Sequence, residues 1–478
     1  MRESRRADVV IIVSLVMIAA ALAGYASLVL RWFSPPSSAR ATMTQTSGAA
    51  QAELEAARRG FRDDFLDPFA HLRLAEALWR AGRPIDSFYV TYAARGLFSD
   101  SDFRRAHAEA VLGAGGPAAQ EAQKLAAIKD PSLAVPILEG LDIDYPDSPE
   151  ARDALARLSR MACADPDGEG GPPAEAAQSA LEELHKKRPK DPAPLAALGD
   201  ALLERGDIAA ASAFARDALA ADARNAGAAH VMGAIALRDG DFDSARRWLD
   251  AAWSGNSHDL FSAEKLAQIY ENRLADPSGA LPFELALYRA DPYADIDDNP
   301  VETRIRQILD ARRKRLIDGT APADLAEKFR LDDASLRAEA AIRSADLGQT
   351  RWIDDLGELL DDDCQIVRRA ADYALFRVGK SQPEAVRARR ELWLGSAEPL
   401  VRIRALNLFA DLDGMNALPR AIKALEDPNP AVRAYAIAMV LDHYYAQVPE
   451  AREARARALA SEKDPAVLKF VRLHEPRP

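Results

Sequence analysis

This 478-residue chain lacks the signatures of chemistry. No glycine-rich loop ends in Gly-Lys-Ser/Thr, since residues 113–116 read GAGG with no lysine after them. His-Glu-x-x-His, Gly-x-Ser-x-Gly and Cys-x-x-Cys are all missing. The seven histidines, among them His71, His107, His185, His230 and His443, are scattered singly, which suits packing or surface roles. With only Cys163 and Cys364, in different modules, no disulfide framework is expected and the redox compartment stays open. Basic charge is also short: 62 Lys and Arg against 74 Asp and Glu leave a net charge of −12, which excludes a broad phosphate-neutralising surface for nucleic acid. The one basic run, ARRKRL at 311–316, reads as the solvated end of a helix. Asp165, Asp167 and Glu169 alternate as in a calcium loop but lack the later bidentate acid. Asp361, Asp362 and Asp363 read as acids favouring a helix N-terminus. No catalytic residue, metal or cofactor is therefore expected.

What is present begins with an apolar run. Residues 9–30, VVIIVSLVMIAAALAGYASLVL, carry no charge over 22 positions, and at ~1.5 Å per residue they span a bilayer core. Two readings fit. Arg2, Arg5 and Arg6 ahead of the run and the Ala21-Leu22-Ala23 site suit a cleaved signal peptide, whereas the length and the closing Trp32 and Phe33 suit a retained anchor. The anchor is the reading adopted, over residues 9–31, with the lipid bilayer as its partner. Three arginines before the span, against Arg31 and Arg40 after it, place the N-terminus inside and the bulk of the chain on the periplasmic or extracytoplasmic side of a cytoplasmic membrane. Ala19, Ala23 and Ser27 make a small-residue face, or simply reflect a chain rich in Ala throughout. Residues 32–51 lack periodicity and read as a flexible tether.

Beyond the tether the chain repeats itself. Leu198-Gly199, Gly206-Asp207, Ala211 and Ala218 recur 34 residues on as Met232-Gly233, Gly240-Asp241, Ala245 and Ala252. Small residues at fixed offsets let two antiparallel helices sit close, with glycine at the turn between them. Leu74-Ala75, Leu78, Gly82 and Ala94 share the offsets, and Leu266-Ala267 and Tyr270 continue them with one extra residue near Asp276-Pro277. This pattern resembles the tetratricopeptide repeat family, strongly over 192–259, well over 260–292 and fairly over 68–97, with degenerate units between.

A second repeat follows. Leu336-Arg337, Val367-Arg368, Val401-Arg402 and Val432-Arg433 recur at 31, 34 and 31 residues, each opening an Ala-rich helix. Over about 332–470 this resembles HEAT-like repeats, in particular the short form also found in bilin-lyase-related proteins. The arginines read as an internal ladder with acids on neighbouring turns.

The expected fold is thus all-α: a transmembrane helix, then a TPR-like α-solenoid and a HEAT-like α-solenoid. The expected segments are 1–8 (tail), 9–31 (anchor), 32–51 (linker), 52–190 (degenerate repeats), 191–293 (tetratricopeptide repeats), 294–331 (connecting helix) and 332–478 (HEAT-like repeats). In the tetratricopeptide family the first helix of each pair lines a groove. The resemblance implies a lining of Phe69, Leu72, Glu76 and Trp79, then Asp200, Leu203 and Glu204, then His230 and Arg238, then Phe261, Glu264, Gln268 and Glu271. The Lys and Asn that clamp a C-terminal carboxylate in some members are missing at these offsets. An acidic, aromatic face suits a basic or amphipathic peptide segment, although Phe69 and Trp79 equally suit packing on an adjacent helix. The function expected is a membrane-anchored scaffold binding other proteins of a bacterial envelope complex. The alternatives are a cytoplasm-facing adaptor that recruits an enzyme and a bilin-lyase-like enzyme.

Overall fold

The computed structural model describes residues 48–112, 171–256, 259–292, 299–317 and 324–475, with shorter stretches between 134 and 161. The apolar run 9–31, the possible calcium loop 165–169 and Cys163 lie outside the described residues. No helix among the described residues is long and apolar enough to cross a membrane. The chain divides into two compact units at residues 45 and 46, and all that follows concerns the second. Every regular element among its described residues is helical.

The first described helices are α1 (Gly48–Asp63), α2 (Pro68–Arg80), α3 (Pro84–Leu97) and α4 (Asp100–Leu112). Helix α1 starts inside the segment expected to be linker, because its Ala-rich opening, GAAQA, favours helix and Leu54 and Phe61 anchor it by burial.

After α5 (Gly171–Lys187) come three hairpins: α6 (Ala193–Glu204) with α7 (Ile208–Ala221), α8 (Ala226–Arg238) with α9 (Phe242–Gly255), and α10 (Leu260–Asn272) with α11 (Pro277–Ala290). Small residues set their spacing. Ala211, Ala218, Ala245 and Ala252 are fully buried, and a Cβ on Gly233 would lie 2.7 Å from Leu249 Cδ2. Gly206 and Gly240 turn the first two of these hairpins with φ of +86° and +76°, as Gly82 turns α2 into α3 at +76°, a region that penalises any Cβ. In the third hairpin the extra residue puts Ala275 there instead, at φ +48°. Asp207, Asp241 and Asp276 then cap the second helices through their side chains.

Helix α12 (Pro300–Ile317) connects to the second array, whose long first helices are α13 (Ala334–Leu347), α14 (Gln365–Ser381), α15 (Pro399–Asp413), α16 (Pro430–Tyr435, continuing through a π turn at Ala436–Leu441), and finally α17 (Pro449–Ser461) and α18 (Pro465–Leu473). Shorter helical turns such as Ile353–Glu358 and Leu418–Lys423 fill the second places. Arg312 and Arg313 of the basic run are engaged: Arg312 bonds Asp333 at 2.5 Å, and Arg313 pairs with Asp310 and lies 3.7 Å from Glu339.

The ladder forms. Arg337, Arg402 and Arg433 each donate from Nη1 to the carbonyl six residues back, that of Leu331, Ser396 and Asp427. Each also grips a carboxylate of the next unit with two nitrogens: Asp362 at 2.8 and 2.9 Å, Asp427 at 2.9 and 2.8 Å, Glu462 at 2.8 and 3.1 Å.

Helices α1–α4 do more than open a linear stack. Arg58 bonds Asp363 at 2.7 Å, Arg62 reaches Asp361 at 2.9 Å, and Asp102 of α4 meets Lys469 of α18 at 2.6 Å. Phe88 of α3 packs edge-on against Tyr288 of α11 at 4.8 Å. One apolar cluster therefore runs from Leu54 through Tyr288 to Val471. The Asp361–Asp363 run spends its charge on these pairs with Arg62, Arg337 and Arg58, and only Asp362 also serves a helix start, accepting the Cys364 amide at 2.8 Å.

Candidate functional site

The first helices α6, α8 and α10 carry the face that the repeat pattern assigned to binding, and a chain of bonds crosses all three. His230, at the start of α8, sits between two carboxylates. Its Nδ1 is 2.8 Å from Asp259 Oδ2 and its Nε2 is 3.6 Å from Asp200 Oδ1. Ser159 donates to the other oxygen of Asp200 at 2.7 Å, and Ser262 donates to Asp259 at 2.5 Å. Asp259 also caps α10 through the Ser262 amide, so the same residue starts a helix and holds a neighbouring repeat.

The charges follow from the geometry. Burial alone would lower the imidazole's affinity for a proton, but the carboxylates of Asp200 and Asp259 on its two sides outweigh it and raise its pKa to about 10. Burial likewise pushes the two carboxyls up, and the imidazolium more than offsets it, holding both below the usual range. The floor of this face is thus a fixed negative–positive–negative row at neutral pH.

Phe261 lies beside it. Its ring is 4.8 Å from the His230 imidazole, remains 36% exposed, and has Lys265 Nζ 5.5 Å from its centroid. Glu264 is exposed and bonded by Lys265 at 3.0 Å and Gln268 at 2.8 Å. Glu204 and Arg238 are exposed at the far ends of α6 and α8. Glu271 is 3.5 Å from Arg304 of α12, whose main partner is the fully buried Glu284 at 2.8 Å.

The remaining sequence-assigned residues lie elsewhere or inside. Leu203 is buried among Ala211, Ala215 and Val231, and Leu72 is buried with Ala94 and Phe103. Phe69 packs on that second cluster under Arg73, 5.4 Å from its ring. Glu76 is gripped by Arg289 of α11 at 2.9 and 2.6 Å, and the same guanidinium covers Trp79 at 5.0 Å. The face of α2 is therefore closed by α11. The accessible part of the face is Asp200, Glu204, His230, Arg238, Phe261, Glu264, Gln268 and Glu271.

Asp259, Ser262 and Ser159 complete the row, and sequence reasoning passed over them. The Asp259-x-x-Ser262 spacing, a helix-start signal, was the readable clue to the first two.

A shallow cleft of about 330 Å³ opens between α1 and the loops before α13 and α14. Five arginines and five acids line it, among them Arg58, Arg83, Arg337, Asp361 and Asp363, so its charge is balanced internally.

The architecture defines a class, an all-helical protein of stacked hairpins with two kinds of repeat. No family model matches the chain, and no curated protein does. Twelve chains of solved structures match. One, the human IFIT1 dimer with m7Gppp-AAAA, is 12% identical and covers 88% of this chain and 97% of its own, at a TM-score of 0.27. A likeness of that size carries no argument about this chain, whose fold rests on the geometry above.

Proposed function

We propose that this chain is a protein-interaction scaffold that binds a basic or amphipathic segment of a partner along the face of α6, α8 and α10. The observation that supports it most is the pairing of an exposed Phe261 ring with a pre-set charged floor, Asp200–His230–Asp259, and the exposed carboxylates of Glu204 and Glu264. An apolar side chain of the partner meets the ring, and flanking Lys or Arg meet the acids. The floor is already ordered, which lowers the entropic cost of binding.

The scaffold acts by holding partners, without turnover and without a cofactor. The segment 9–31, charge-free through residue 30, anchors it, and the arginine bias ahead of that run sets the body outside the cytoplasm, where it organises an envelope complex. Tethering raises the effective concentration of a bound partner at the membrane.

The test is crosslinking of the full-length chain in its native membrane, followed by mass spectrometry of partners and linked residues. Envelope proteins linked within 193–292, and lost on Phe261→Ala with Glu264→Lys, are the expected result. Partners that are all soluble cytoplasmic enzymes would reverse the topology and point to the adaptor reading. Links unaffected by the two substitutions would remove the assigned face.

A further inference from the structure

Arginines at the surface of the second array commonly hold acids. Arg330 and Arg457, both well exposed, still reach Asp355 at 3.4 Å and Glu453 at 3.7 Å, and Arg387, Arg389 and Arg420 hold theirs at 2.8, 2.7 and 2.6 Å. Helix α14 departs from that habit. Its Arg369, Arg377 and Lys380 are exposed, and none has a carboxylate partner among the described residues. In a chain with a net charge of −12, three cations on one helix without acids are a local excess where the whole has a deficit.

Two of these cations lie against rings instead. Positions 369, 373, 376 and 380 follow one another at helical spacing along a single face, with 377 at its edge. Tyr373 is 42% exposed; Arg377 Nη1 donates to its hydroxyl at 2.7 Å, and the guanidinium is 5.7 Å from its ring. Lys380 Nζ lies 5.1 Å from the half-buried ring of Phe376. The strip's own acid turns inward: Asp372 has a buried oxygen without a partner, and burial raises its carboxyl to about 7. We propose that this face of α14 docks an acidic segment of a partner protein that carries an aromatic or large apolar side chain.

The neighbouring units confine that segment to one helix. The positions equivalent to 377, at 31 residues before and 34 after, are Asp346 and Asp411, both exposed. They repel a polyanion laid across the units, so the segment runs along α14. From 369 to 380 the strip is about 17 Å long, a span that about five extended residues cover. Carboxylates of the segment meet Arg369, Arg377 and Lys380, and its apolar side chain lies on Tyr373 and Phe376. A narrow strip between two acids suits a peptide better than the other polyanions. An anionic lipid surface draws on clusters of roughly 4–8 cations, and nucleic acid on many phosphate contacts. The proposal extends the scaffold reading to a second partner, opposite in charge to the segment assigned to α6, α8 and α10, and does not depend on that first face.

The probe is a fluorescein-labelled peptide of glutamates around one tryptophan, titrated into full-length protein in neutral detergent and followed by anisotropy. Binding should saturate and weaken as salt rises. Arg377→Glu with Lys380→Glu should weaken it by about tenfold or more, and Tyr373→Ala by roughly fivefold, while both variants, altered only at exposed positions, melt like the parent. Phe261→Ala should change nothing, which separates failure of this face from failure of the one on α10. Binding that never saturates, or that survives all three α14 substitutions, overturns the proposal. So does slowed hydrogen exchange along α14 with phosphatidylglycerol mixed into the micelles and no peptide binding, because the occupant is then a lipid surface.

Discussion

The two arrays solve one problem, stacking helices, by opposite means. The hairpins from α6 to α11 approach closely because the contact positions are Gly and Ala, and Ala211, Ala245, Ala252 and Ala280 have no exposed surface at all. Few ion pairs join one of these hairpins to the next beyond His230 with its two aspartates. In the second array, Arg337, Arg402 and Arg433 each tie one unit to the next through two hydrogen bonds. Shape specifies the first stack and charge geometry the second. The first should therefore fail on added volume, and the second on removal of a charge.

The largest effect is expected at Arg337, whose side chain is 4% exposed and faces both Asp362 and the fully buried Asp86. Arg337→Met leaves Asp362 without a cation and Asp86 with Arg83 alone, and should destabilise the second array by about 3–5 kcal/mol in urea melts. Arg389→Met removes an exposed pair with Asp354 and should leave the same melt unchanged. If the two variants behave alike, the ladder is not what joins these units.

Next comes volume. Gly233→Val places atoms where Leu249 already sits, and overpacking of this kind costs about 1–3 kcal/mol. Hydrogen exchange should report the loss in α8 and α9 and leave α14 to α16 protected. Uniform loss across both arrays would mean that they unfold as one body, and the contrast drawn here would then be structural without being energetic.

The smallest expected effects are those of pH, and they fall in different windows. His230 binds its proton more tightly folded, about 10 against an ordinary 6.5. Its contribution is complete below pH 6.5 and lost as pH rises towards 10. Asp372 is raised from 3.8 to about 7, so its contribution is complete below pH 3.8 and lost as pH rises through 7. Urea midpoints measured from pH 4 to 10 should lose their alkaline limb in His230→Gln and their neutral limb in Asp372→Asn. Identical profiles in both variants would show that neither group is linked to folding.

Much of this organisation was legible in the sequence. The 34-residue intervals fixed the hairpins, and the spaced apolar-Arg pairs announced the ladder, because nearest-neighbour stacking writes itself into periodic positions. The one-residue extension before Pro277 was legible too, and it is met by Ala275 in the left-handed region. What periodicity could not report was contact between distant parts. Glu76 with Arg289, Arg58 with Asp363 and Asp102 with Lys469 link positions 213, 305 and 367 residues apart, with no repeat relating them. For that reason Glu76 reads as open groove when Arg289 of α11 holds it, whereas Trp79, which the sequence equally suits for packing on another helix, lies under the same guanidinium. Asp362 and Asp427 lie six residues before Arg368 and Arg433, and the same place before Arg402 is Ser396, so the sequence offers no acid at the rung that Arg368 would reach.

The salt bridges of α1 also set how the molecule would carry a mechanical load. Tension between Gly48 and α18 has a short route through Arg58–Asp363, Arg62–Asp361 and Asp102–Lys469 into the second array. The hairpins from α6 to α10 supply none of those joints, and α11 meets the first helices through Glu76–Arg289 and Phe88–Tyr288. A pull on either end would strain the charged joints first and reach the face around Phe261 and His230 last.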